Sequence, residues 1–142
     1  MRDFHVVLLS YVDTTQYPNN KASRFSNNLA LPMEMKGEWV VAMEDFVCIG
    51  KTTLSKPKLL FVCCKLAGDS FVGNYLMPML RSITFQDGVD RLEHSFDRLD
   101  YKRVQGNFVN SIEMEIRDEY NEVVTLGDDV KVMVVLHFKQ LQ

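Results

Sequence analysis

Apolar and polar positions alternate with a period of two along most of this chain, and the three-to-four spacing of an amphipathic helix is nearly absent. Successive side chains of an extended strand point to opposite faces, so the alternation predicts strands. The first covers Phe4–Ser10, with Phe4, Val6 and Leu8 on one face. A turn-rich connection, TTQYPNNKAS, follows, broken by Pro18, Asn19 and Asn20. Phe25–Leu31 reads as a second, weaker strand ending at Pro32, and Gly37 punctuates the chain before a third, Trp39–Ile49. Strict alternation there places Trp39, Val41, Met43 and Asp45 on one face and Val40, Ala42, Glu44 and Phe46 on the other.

Beyond the loop KTTLSKPK, Leu59–Leu66 is apolar on both faces, as a central strand covered on both sides would be. AGDSFVGN reads as a loop, Leu80–Phe85 as a short strand, QDGVDRLEHSFDR as a polar segment with an Asp-Gly turn, and Arg98–Val104 as another strand. From Ser111 to Phe138 the chain reads as strand, turn, strand, turn, strand. Ile112, Met114 and Ile116 point one way, and Glu113, Glu115 and Arg117 form a solvated face. Asp118–Glu122 turns the chain, Val123–Leu126 returns, Gly127–Asp129 turns again and Val130–Phe138 closes. About eight or nine short strands separated by turn signals predict an all-β sandwich or barrel. A single jelly-roll β-sandwich of about eight antiparallel strands fits this length. With no repeat, low-complexity segment or linker, residues 1–142 read as a single jelly-roll domain.

Composition changes this picture little. At 142 residues, with 46% hydrophobic and 25% charged residues, the chain is long enough for its own core. A net charge of −3 with scattered Lys and Arg argues against direct nucleic acid binding, which needs clustered positive charge. No apolar run reaches the roughly eighteen residues of a membrane span. Asp3 and His5 interrupt the start, so MRDFHVVLLS suits a first strand better than a signal peptide. Cys48, Cys63 and Cys64 are odd in number and two are adjacent, which argues for reduced, buried thiols in a reducing compartment.

Chemistry has no visible seat. His5, His94 and His137 are far apart, with no H-x-H or C-x-x-C spacing, so no metal ligands are assigned. No nucleophile elbow, S-x-x-K or Cys-His signature is present, and GDSFVGN lacks the G-K-[ST] of a phosphate loop. The two adjacent acids of GDD at Gly127–Asp129 supply too few oxygens for calcium and read as a hairpin turn. The sequence therefore predicts no enzyme, no catalytic residue, no cofactor and no metal.

Several positions together resemble the single jelly-roll minor capsid (penton) proteins of Polinton/Maverick elements and adintovirus-like viruses. They are Phe4-His5-Val6, Tyr17-Pro18-Asn19-Asn20, Ser23-x-Phe25, Leu29–Leu31 and the run Gly37 to Glu44, GEWVVAME. That run looks like the family's G-x-W-E-V-A-L-x-E strand, with Val40 where Glu is usual. Val72-Gly73 with Pro78-Met79-Leu80-Arg81, then Tyr101, Ile112 to Asp118 and Leu136-His137-Phe138, continue the likeness. The chain departs at Asn121, where Gly is usual and which a left-handed turn tolerates, and at Gly50, where Pro is expected. The resemblance implies a structural subunit of an icosahedral virion that assembles without catalysis. It would be a homo-oligomer, a pentamer at a vertex, partnered by a major capsid protein and made in the host cell.

Apolar residues on both faces of the end strands point the same way. Val7 and Leu9 oppose Phe4, Val6 and Leu8, while Met133 and Val135 oppose Val132, Val134 and Leu136. Only one face of each sheet meets a sandwich core, so Val7, Leu9, Met133 and Val135 are the expected subunit interface. The local alternative is that Gly50–Lys58 or Gln86–Arg98 folds over them. The functional alternative is a ligand-binding sandwich, lectin-like or TNF-like, using exposed aromatics such as Tyr11 and Tyr17. A cupin-type barrel would need clustered histidines.

Overall fold

A computed structural model of the protein describes residues 2–54, 58–86 and 89–141. Their strands are β1 (Asp3–Leu9), β2 (Arg24–Glu34), β3 (Glu38–Ile49), β4 (Lys58–Cys64), β5 (Ser70–Val72) and β6 (Tyr75–Met77). They continue with β7 (Met79–Phe85), β8 (Arg91–Ser95), β9 (Lys102–Arg103), β10 (Phe108–Arg117) and β11 (Lys131–Leu141). Every paired strand is antiparallel. The first sheet has the order β1-β11-β3-β8, with β9 also on β3; the second has the order β2-β10-β4-β7. β5 and β6 form a separate hairpin. The fold is all-β, two antiparallel sheets packed as a sandwich.

One core lies between the sheets. Leu8, Val41, Met43, Phe46, Val132, Val134, Leu136 and Phe138 from the first face Phe25, Leu60, Val62, Leu80, Ile83, Ile112, Met114 and Ile116 from the second. Phe46 meets Phe85 edge-on across the interface, with ring centroids 5.8 Å apart. Each such side chain contributes roughly 1.5–3 kcal/mol on full burial.

The β3 faces differ from strict alternation. β3 pairs Val135 with Asp45 but Leu136 with Met43, so Glu44 is an extra residue, a β-bulge. The bulge resets the parity. Phe46 and Cys48 join Trp39, Val41 and Met43 in the core, while Asp45 and Val47 turn outward. β2 runs through Pro32 to Glu34 because the ladder is interrupted there: Ser111 pairs with Asn28 and Val109 with Met33. Leu29 to Pro32 face only Asn110, so the missing proline N–H costs no ladder bond.

Four further expectations are corrected. Val123–Leu126 is not a strand: Val124 N donates to Ile116 O, but Leu126 O accepts from Thr53 N on another segment, so no ladder forms. AGDSFVGN is not a loop, since its second half opens the β5–β6 hairpin, with Gly73 at φ +57° in the turn. The polar segment Gln86–Arg98 contains β8, which pairs with β3 through Asp45 to Ile49, and its Asp87-Gly88 turn lies outside the described residues. Arg98–Val104 shrinks to the two residues of β9. Asn121 does take the left-handed conformation, at φ +63°, inside a turn where Asp118 Oδ1 accepts from the Tyr120 and Glu122 amides.

The two apolar faces of β4 have two separate partners. Leu60, Val62 and Cys64 enter the core. Phe61 and Cys63, on the outer face, are covered by Met77 of the hairpin, with Val72 and Met79 beside them. All three cysteines are free and buried. Desolvation pushes the Cys48 thiol up to about 11 and those of Cys63 and Cys64 to about 12, so each is a protonated, unreactive group near neutral pH.

Sheet edges are closed by side chains that imitate a neighbouring strand. The buried Asn27 accepts from Leu9 N at 2.7 Å and donates from Nδ2 to Leu9 O at 2.9 Å. Asn20 brackets Ser26 in the same way, at 3.0 and 2.9 Å, and Asp13 Oδ2 accepts from Asn28 N. Replacing Asn27 by Ala strands two part-buried backbone groups of Leu9 and is expected to lower stability by about 1–2 kcal/mol. A urea titration should show a lower midpoint at unchanged slope, whereas Ser82→Ala on the exposed face of β7 should shift it by less than about 0.5 kcal/mol.

Candidate assembly surface

The outer face of the first sheet is set by register. Val7 sits opposite Val135 and Leu9 opposite Met133, while across β11 Met133 meets Val47. The four residues expected from the sequence are therefore contiguous, and the bulge in β3 adds a fifth, Val47. Val7 is 53% exposed, and Leu9, Val47, Met133 and Val135 are half-buried by one another. Neither proposed local cover lies over them in its described parts. Gly50–Leu54 bonds to the β10–β11 connection through Thr53, and β8 extends the sheet beside β3. Val7 is the exposed residue of this apolar face, and the other four are partly accessible.

Polar groups rim it. At one end Lys131 Nζ lies 5.0 Å from the centre of the Tyr11 ring. On the β8 side Ser95 donates to Asp45, and Arg91 pairs with Glu93. At the other end His5 and His137, which occupy paired positions, stack at 4.6 Å. His5 Nε2 lies 2.7 Å from Glu44 Oε2. His137 Nε2 lies 3.4 Å from Asp3 Oδ2, and its Nδ1 is hydrogen-bonded to the Tyr101 hydroxyl at 2.7 Å. Their distance in sequence hid this pair; only the β1–β11 register brings it together. His94 stands apart on β8, stacked on Phe96. Among the described residues no group of three or more His, Cys, Asp or Glu converges as a metal site would require.

On the second sheet the outer face is ionic along β10 and β2, and it is less solvated there than its alternation suggests. Glu115 is 7% exposed, held by Arg117 at 2.6 Å and Arg24 at 3.6 Å. Glu113 takes a hydrogen bond from Ser26 and lies 3.4 Å from Lys65. Beside them a cleft of about 750 Å³ runs between residues 16–26 and 123–128. Tyr17 lines it with its hydroxyl donated to Asn28 Oδ1 at 2.7 Å, which is turn packing, and Tyr11 lies under Lys131.

No protein-family model, curated protein or solved structure matches this chain. Among the described residues no helix is long and apolar enough to cross a membrane.

Desolvation raises the Tyr101 pKa, and the Glu44 and Asp3 carboxylates push it the same way. A raised acid pKa means that the fold prefers the neutral phenol. This stabilisation is fully present below the unfolded value of about 10 and is lost as pH rises through the folded value. The native protein should therefore lose stability relative to Tyr101→Phe above about pH 10. Parallel stability curves for the two proteins through the alkaline range would show that Tyr101 does not respond to this cluster.

Proposed function

We propose that this chain is a structural subunit that works by self-assembly without catalysis, as the penton or minor capsid protein of an icosahedral virus or virus-like element. The observation that carries the reading is the contiguous apolar face of Val7, Leu9, Val47, Met133 and Val135 across β1, β11 and β3 of the first sheet. A second copy of the chain would cover it in a closed ring, and a major capsid protein would surround the ring in the virion. The strand orders support a single jelly roll: β1, β2, β3 and β4 fall alternately in the first and second sheets, each beside a strand from the other half of the chain. The resemblance to the penton proteins of Polinton elements and adintovirus-like viruses points the same way.

A closed ring would hold each subunit by two interfaces rather than one. A stable interface buries about 800 Å² per partner. Val7, Leu9, Val47, Met133 and Val135 would form its centre, with Lys131, Asp45, Glu93 and His5 as a polar rim.

Replacing Met133 by Ser and Val135 by Asp places a charge in that centre while the core face of β11 is untouched. Sedimentation should show native rings falling to monomers with the β-sheet circular dichroism retained. Native protein that sediments as a monomer at high concentration would defeat the proposal. The second reading, a recognition module, draws on the 750 Å³ cleft beside Tyr17. Specific glycan-array binding by a monomer would favour it.

A further inference from the structure

On the side of the sandwich formed by β1 and β2, edge closure stops halfway. Ser10 N donates to Val132 O at 3.0 Å, and Gln140 N donates to Arg2 O at 2.8 Å, so even-numbered residues of β1 direct their backbone groups at β11. Antiparallel pairs alternate, so Asp3, His5, Val7 and Leu9 turn their N–H and C=O groups away from the sheet. Leu9 is closed by Asn27, as Ser26 and Asn28 on the β2 edge are closed by Asn20 and Asp13. Asp3, His5 and Val7 have no such partner among the described residues. Three successive open positions form a template for one more strand.

The gap between the sheets is also unfilled at this edge. Phe4 and Val6, the inward side chains of β1, are only half-buried. Opposite them β2 leaves its ladder between Asn28 and Met33, and in that excursion Leu31 is 79% exposed. A groove of about 630 Å³ lies between, lined by Phe4, Val6, Leu29, Leu31, Met33 and Trp39. Unpaired backbone and a groove with an apolar wall run side by side, and Arg2, Glu34, Lys36 and Gln140 also line that groove. Together they define an occupant with both properties.

We infer that this slot receives an extended strand from a different polypeptide, apolar at alternate positions. Its backbone completes the hydrogen bonds of Asp3, His5 and Val7, and every second side chain enters the groove against Phe4, Val6 and Leu31. The paired length is about five residues, or roughly 17 Å at 3.4 Å per residue. Main-chain bonds supply affinity and the groove supplies selectivity for alternating sequences. The slot uses the edge backbone of β1 and shares Val7 and the rim residue His5 with the proposed ring face, while Val47, Met133 and Val135 lie on strands further into the sheet.

The test adds the capped peptide KVTVTVK to the full chain and follows amide exchange by NMR. Exchange at Asp3, His5 and Val7 should slow by about tenfold or more on binding. The same peptide N-methylated through its five central residues keeps its side chains but loses its donors, and it should not bind. Leu31→Asp alters a residue already in solvent, so the fold stays, and it should weaken binding by about tenfold or more. Three results overturn the inference: equal binding of the N-methylated peptide, binding that leaves the His5 and Val7 amides unchanged, or protection of those amides by a neighbouring copy before any peptide is added.

Discussion

The contact between the inner faces of the two sheets governs the rest of this molecule. A strand has only two faces, and its side chains alternate between them with no intermediate choice. Once β3 and β11 commit Met43, Phe46, Val134 and Leu136 inward, the identity of every outward residue follows. The Glu44 bulge is the single place where the first sheet changes phase, and it does so between two stretches that each have large residues to bury. Without it Phe46 would face water and Asp45 the core, an arrangement that costs both a lost burial and a desolvated carboxylate. The same bulge delivers Val47 to the outer face.

Packing two sheets also creates edges, and here the solution is written in asparagine. An amide side chain carries one acceptor and one donor group, as a backbone peptide does, so Asn27 and Asn20 each stand in for one residue of an absent strand. The connection that reads as a turn-rich linker is therefore an edge cap. Tyr17 belongs to it through Asn28, and its hydroxyl is committed to holding the cap in place.

Period-two patterning made β1, β4, β10 and β11 legible, because long alternating runs leave little freedom in which face is buried. The buried Cys63 and Cys64 followed from a run that is apolar on both sides. The hairpin and β8 did not, since three-residue and five-residue strands are too short for alternation to stand out from loop composition. Nor did the β3 bulge, which appears only when register against β11 is known. At the candidate surface, Val7, Leu9, Met133 and Val135 were readable from the second apolar face, whereas their adjacency, Val47 and the His5–His137 stack depend on pairings across more than eighty residues of chain.

The small hairpin over β4 gives the molecule two thiols with different guardians. Cys64 is shielded by the core itself, so reaching it requires global unfolding. Cys63 is shielded by Met77, and a hairpin of two three-residue strands is stable only while docked. Lifting that hairpin is a local opening whose free energy lies below the global value. The difference in alkylation rate between neighbouring cysteines then measures how much of the fold's cooperativity the hairpin shares, with Cys64 as the internal clock.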